Sequence, residues 1–241
     1  MKKILLAIAI IGSSIGISHA QSQNPSFIGI SGGLSLPTGN WNKSNYEDYK
    51  SGYAHTGSVW GIDGAYFFSK HIGVGGLINY GTYKNKNLST ISDGYIESYE
   101  YSKVAASATR YKATNFLAGL YYNFPIGKLS ITARTLAGIT HAKTPEITLS
   151  TWGDDDTYDG DITQHSASKT TFGLDGGIGL SYPVYKKFSV ALRGDYFYSK
   201  PNFDPINYSG VNNPQEDARV ISKYHEPLAG VNITFGITYS L

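Results

Sequence analysis

Val231-Asn232-Ile233-Thr234-Phe235-Gly236-Ile237-Thr238-Tyr239-Ser240-Leu241 alternates without a break. As an extended strand it puts Val231, Ile233, Phe235, Ile237, Tyr239 and Leu241 on one face and Asn232, Thr234, Gly236, Thr238 and Ser240 on the other. One face is suited to an apolar medium. The other is small, polar and uncharged, which suits a confined interior better than open water.

The same alternation, bounded by turn residues, recurs at roughly 26 to 36, 57 to 69, 71 to 84, 112 to 125, 128 to 142, 168 to 183, 187 to 199 and 226 to 241. These spans predict an all-β fold. Short turns at Ser69-Lys70-His71, Pro125 to Lys128 and Pro183 to Lys187 alternate with long polar segments at 37 to 56, 85 to 111, 143 to 167 and 200 to 225. A soluble barrel of similar strand number buries its apolar face and carries charge outside. Here the polar face is mostly Gly, Ser, Thr and Asn, with Gly61, Gly75, Gly119, Gly138 and Gly177 making room within a narrow tube. The pattern predicts an eight-stranded antiparallel up-and-down transmembrane β-barrel, with short periplasmic turns, long external loops and both termini periplasmic. Aromatics near strand ends, among them Phe67, Phe68, Tyr121, Phe124, Tyr182 and Phe188 on one side and Tyr83, Tyr196, Phe197 and Tyr198 on the other, are the material for interfacial girdles.

The start of the chain agrees. Lys2 and Lys3, the apolar run Ile4 to Ile11 and the small-x-small site Ser18-His19-Ala20 read as a signal peptide over 1–20, cleaved after Ala20, ahead of a barrel domain over 21–241. The apolar run is short of the roughly 20 residues of a spanning helix. Lys2 and Lys3 account for the whole excess of the 20 basic over the 18 acidic residues, so the chain beyond Ala20 has a formal net charge of zero. A nucleic-acid partner would need a clustered basic footprint, and none is expected. The chain has no cysteine, which excludes disulfides and lipoprotein anchoring.

In architecture and in its last strand the chain resembles the small outer-membrane β-barrel family of the OmpX and OmpA-transmembrane type. The resemblance spans essentially residues 21–241. It implies that the last strand is an assembly signal for the barrel-insertion machinery, with Phe235 and Tyr239 in the alternation and Leu241 where the family ends on an aromatic residue. It also implies outer-membrane lipid and lipopolysaccharide as surroundings.

Asp63, Arg134, Asp175, Arg193 and Asp195 fall on the polar parity of their strands and so are expected in the lumen, paired with one another because an isolated charge there is costly. Small barrels fill their interiors with side chains, so a structural plug is expected over a passive channel. The acidic stretch Asp154 to Asp161 partly matches the start of a calcium loop, but Ser166 stands at the twelfth position, so no metal is expected. His55, His141, His165 and His225 lie near the outer end. A lipid-modifying outer-membrane enzyme is the further alternative; its Ser-His-acid site would need such side chains to converge, and neither enzymatic activity nor a cofactor is expected. Tyrosines amid Ser, Asn and Gly in the long segments suit adaptable recognition. The expected role is therefore structural or one of surface interaction, by a monomer meeting lipopolysaccharide, another envelope component or a host surface.

Overall fold

The computed structural model describes residues 26–210 and 223–241; the signal peptide and its cleavage site lie outside them. Among the described residues twelve strands and one α-helix follow one another: β1 (Phe27–Pro37), β2 (Ala54–Phe67), β3 (Ile72–Asn85), α1 (Ser89–Tyr99), β4 (Lys103–Ala108), β5 (Tyr111–Ile126), β6 (Leu129–Lys143), β7 (Ile147–Trp152), β8 (Tyr158–Gln164), β9 (Ser168–Tyr185), β10 (Phe188–Ser199), β11 (Tyr208–Gly210) and β12 (Leu228–Ser240). Eight of them form a closed antiparallel barrel in the order β1-β12-β10-β9-β6-β5-β3-β2. The seam closes from Phe27 opposite Ser240 to Pro37 opposite Gly230.

Closure is what makes the sequence alternation sensible. In hydrocarbon a backbone N–H or C=O has no water to turn to, and only a sheet without edges leaves none unpaired. The parity is sharp along β12: Ile233, Phe235 and Ile237 are 48%, 59% and 49% exposed, while Asn232, Thr234 and Thr238 are buried. Ile30, Trp60, Ile78, Phe116, Phe172 and Ile178 continue the outward apolar band around the barrel.

The end-of-strand aromatics divide by the same parity. Phe68, Phe124, Tyr182, Tyr196 and Tyr198 face outward, whereas Phe67, Tyr83, Tyr121 and Phe197 are buried in the lumen. Toward the short-turn end Phe67, Leu77, Leu117, Tyr121 and Leu136 form one apolar cluster. At the outer mouth Trp41 stands edge-on to Tyr83, Tyr111 and Phe197 with ring centroids at 4.5, 5.8 and 6.0 Å. Trp41 is fully buried, so the rings close the mouth.

The described parts of the long polar segments carry a second folded unit. β4, β7, β8 and β11 pair as a second sheet in the order β11-β8-β7-β4 above the barrel. Its core is Tyr95, Tyr101, Val104, Leu149 and Ile162, against which Ile91, Tyr99 and Ile147 pack. α1 presents Ile91, Tyr95 and Tyr99 at the four-residue spacing that keeps one helix face in contact with a sheet. It stops at Glu100, which adopts φ of 58° and donates its N–H to Ile96 O at 3.0 Å. The sequence of these segments reads as loop because the strands are of only 3 to 7 residues. Such pieces are stable only when stacked on one another.

Ile178, on β9 and 63% exposed, tests the assignment of faces. Ile178→Arg is expected to lower the unfolding free energy by roughly 2 to 4 kcal/mol in lipid vesicles titrated with denaturant. A change near zero would place this face away from lipid.

Candidate functional site

The five charged residues singled out by parity meet in the lumen. Arg134 on β6 donates from Nε to Asp195 Oδ1 of β10 at 2.9 Å and from Nη1 to Asp63 Oδ2 of β2 at 3.4 Å. Arg193 on β10 donates from Nη1 to Asp63 Oδ1 at 2.8 Å. Both arginines and all three aspartates are buried. Gly177 makes this possible, since a Cβ there would come within 2.1 Å of Asp195 Oδ1. Phe27 joins this cluster to the apolar one, edge-on to Tyr121 at 6.1 Å and beneath the Arg193 guanidinium at 5.6 Å.

The cluster holds three carboxylates and two guanidiniums, and the surplus is Asp175. Its Oδ1 lies 3.5 Å from Arg134 Nε. Among the described residues neither of its oxygens accepts a hydrogen bond. Next to the charges, Asn115 Nδ2 donates to Asn79 Oδ1 and Thr140 Oγ1 to Asn115 Oδ1, each at 2.6 Å. The void beside Arg134, Asp195, Asn79 and Asn232 measures about 10 Å³, room for one water molecule. This interior is filled.

The larger concavity lies beyond the long-loop end of the barrel. A cavity of about 370 Å³ lies between the first external segment, α1 and the inner face of the second sheet. Its walls are Tyr46, Tyr49, Tyr53, Tyr95, Tyr111, Tyr208 and Tyr224 with Ile91, Ile147, Leu149, Ile162 and Ile206, and its polar groups include Asn45, Glu47, Asp48 and Gln164. The phenols are fixed: Tyr208 donates to Gln164 Oε1 at 2.7 Å, Tyr111 to Gly52 O at 2.8 Å and Tyr224 to Lys50 O at 3.3 Å. Gly52 has to lack a side chain, because a Cβ would meet Trp41 O and the Tyr224 hydroxyl at 2.7 Å. Burial pushes the Tyr208 and Tyr224 phenols above their usual range, so both stay neutral. Asp48 is held below the usual carboxylate range, first by the Lys50 N–H and then by Lys43, so the rim keeps its negative charge.

Sequence reasoning noticed several of these tyrosines as loop anchors and missed the cavity. Tyr111 and Tyr224 face it from a strand end and from a distant segment, and no local pattern ties them together. The spacing of Ile91, Tyr95 and Tyr99 was the available signal. In the acidic stretch, Asp155 accepts the Thr157 N–H at 3.0 Å, a turn contact. Three of the four outer histidines have local or pairwise contacts: His55 Nδ1 accepts the Thr56 N–H at 2.5 Å, His141 Nδ1 lies 3.0 Å from Thr170 Oγ1, and His225 lies 3.8 Å from Asp204. His165 is different. It stands between Glu146, at 3.6 Å, and Ser209, at 2.8 Å.

A closed lipid-faced barrel with a packed lumen defines an outer-membrane β-barrel protein. The outer membrane protein beta-barrel domain model matches residues 5–235, and the chain belongs to that family. The comparison with curated proteins found no match. Among solved structures the chain is similar to Ail, the attachment invasion locus protein of Yersinia pestis, at 16% identity over 90% of this chain and 99% of that one, with a TM-score of 0.45. It is similar to Neisserial surface protein A at 12% identity over 89% and 97%, TM-score 0.41. To OprG from Pseudomonas aeruginosa the values are 14% over 91% and 97%, TM-score 0.38.

The lumen contacts separate two substitutions. Arg134→Ala strips the hydrogen-bonded partner from buried Asp195 and is expected to cost about 3 to 5 kcal/mol in equilibrium unfolding. Asp175→Asn removes the surplus charge without breaking a hydrogen bond and is expected to leave stability equal or higher. Equal losses in the two variants would contradict this arrangement.

Proposed function

We propose that this protein works at the cell surface as a closed barrel that carries a folded external head, and that the head's tyrosine-lined cavity binds a component of the envelope or of a host surface. The observation that carries this reading is the cavity. Its volume of about 370 Å³ falls in the range of small-molecule sites, which are mostly apolar and aromatic with a few placed polar groups. The barrel beneath supplies anchorage.

The lining also speaks to ligand chemistry. Glu47 and Asp48 are in it, and among the described residues no Lys, Arg or His is. The nearby lysines are engaged, Lys43 with Asp48 at 3.4 Å and Lys50 over the Tyr49 ring at 5.6 Å. Such a site favours a neutral or cationic group with an apolar or sugar-ring face, for which tyrosines are rigid stacking surfaces, over a sulfated or phosphorylated one. Neutral sugar portions of lipopolysaccharide and of host glycans are the sources tested first.

The runner-up reading is a narrow passive channel. Its support is the five lumen charges, and the filled interior weighs against it.

Two measurements test the proposal. In planar bilayers the purified protein is expected to be electrically silent; steady, selective conductance would favour the channel. Protein in lipid nanodiscs is expected to bind neutral glycans or lipopolysaccharide, with affinity reduced about tenfold or more, equivalent to about 1.4 kcal/mol, by Ile147→Trp, which fills the cavity. Binding that Ile147→Trp leaves unchanged would reject the cavity as the site.

A further inference from the structure

The second sheet has two faces. Ile147, Gln164 and Tyr208 line the cavity, so strand alternation turns their neighbours Glu146, His165 and Ser209 to the opposite face, away from the barrel mouth. There His165 Nε2 lies 2.8 Å from Ser209 Oγ, and His165 Nδ1 lies 3.6 Å from Glu146 Oε2. The order of contacts is the informative part. A carboxylate at Nδ1 favours the tautomer that carries its proton there, which leaves the Nε2 lone pair to take the proton of the serine hydroxyl.

The three residues are brought together by pairing between distant segments. β11 pairs β8 with Ser209 opposite Thr163, and the ladder extends to His165, whose N–H donates to Asn207 O at 2.8 Å. Glu146 is clamped at its backbone: its N–H donates to Thr109 Oγ1 at 2.8 Å, and its carbonyl accepts the Thr109 N–H at 2.9 Å. In an antiparallel ladder alternate N–H groups point outward. With Asn207 and His165 a hydrogen-bonded pair, the Gly210 N–H points away from β8, at the edge of the sheet among the described residues and one residue from the serine. An oxyanion donor next to the nucleophile has that position. Gly210 has φ of 129°, and a Cβ there would come within 1.9 Å of Asp161 O, so glycine is required after Ser209.

We propose that Glu146, His165 and Ser209 form a serine-hydrolase site that cleaves short-chain acyl esters carried on hydrophilic molecules, such as O-acyl groups of glycans. Ser209 Oγ attacks the acyl carbon while His165 Nε2 takes its proton. The tetrahedral adduct collapses, the ester C–O bond breaks, and His165 returns the proton to the departing alcohol. Water then attacks the acyl-serine ester and gives a proton to His165; the carboxylic acid leaves and Ser209 recovers its hydrogen. The sum is ester plus water to acid plus alcohol, with no other reactant.

The substrate class follows from the surroundings. The same face carries Thr148, Ser150, Asp161 and Thr163, and the Ser150 hydroxyl donates to Asp161 at 2.7 Å. This is a polar surface. The apolar lining lies on the other side of the sheet, so a long acyl chain finds no berth beside Ser209. The His165 and Glu146 side chains are 46% and 45% exposed, accessible to a bulky carrier. This activity does not depend on the cavity's ligand.

The test is active-serine labelling of the full-length protein in lipid nanodiscs with a fluorophosphonate probe, followed by peptide mapping. One modified serine is expected, Ser209. Ser209→Ala should lose the label, His165→Ala should slow labelling by about 100-fold or more, and His225→Ala should match the wild type. Hydrolysis of p-nitrophenyl acetate should follow the same order and exceed that of the octanoate ester. An unlabelled wild type, a label on another serine, or labelling undiminished in Ser209→Ala would overturn the site. A preference for octanoate would overturn the substrate class. Mapping on the wild type decides the matter even where a variant folds poorly.

Discussion

A strand in a bilayer has nothing but other strands to satisfy its backbone, and the rest of this structure depends on that constraint. It forces the first barrel strand, Phe27–Pro37, to pair with the last, Leu228–Ser240. Once the sheet is closed, every second residue faces lipid. A strict two-residue period follows, with the apolar face outward, the reverse of a soluble barrel.

Eight strands enclose too little space for an open pore and too much to leave empty. The lumen is therefore a packing problem, answered with two apolar clusters, one at each end, and a charged layer between them. Glycines set the fit. At Gly177 the wall has no side chain, and the Asp195 carboxylate occupies the space a Cβ would need. An interior packed in this way can hold the barrel rigid, and it shifts attention to the external head, where there is a cavity with polar and aromatic walls.

The barrel was legible in the sequence because membrane strands are long and their parity is enforced along their whole length. The spans around 112 to 125 and 187 to 199 differ from the observed strands by a residue at most ends. Parity also put Asp63, Arg134, Asp175, Arg193 and Asp195 on the inner wall; which guanidinium meets which carboxylate depends on strand order and shear, which no local pattern encodes. The head was not legible. Val104, Leu149 and Ile162 lie in short strands of mixed composition and gain meaning only when stacked on Tyr95. His165 has no partner legible in its own stretch of sequence, and pairing with the segment Tyr208–Gly210 gives it Ser209.

Lys103–Ala108, Ile147–Trp152 and Tyr158–Gln164 belong to a folded head on a closed barrel. Hydrogen–deuterium exchange of the protein in lipid nanodiscs, read by peptide mass spectrometry, tests it most directly. Lys103–Ala108, Ile147–Trp152 and Tyr158–Gln164 are expected to exchange far more slowly than the intervening turn at Asp154 to Asp156, with the barrel strands slowest of all. Exchange of those three segments at the rate of an unstructured peptide, over a protected barrel, would contradict it.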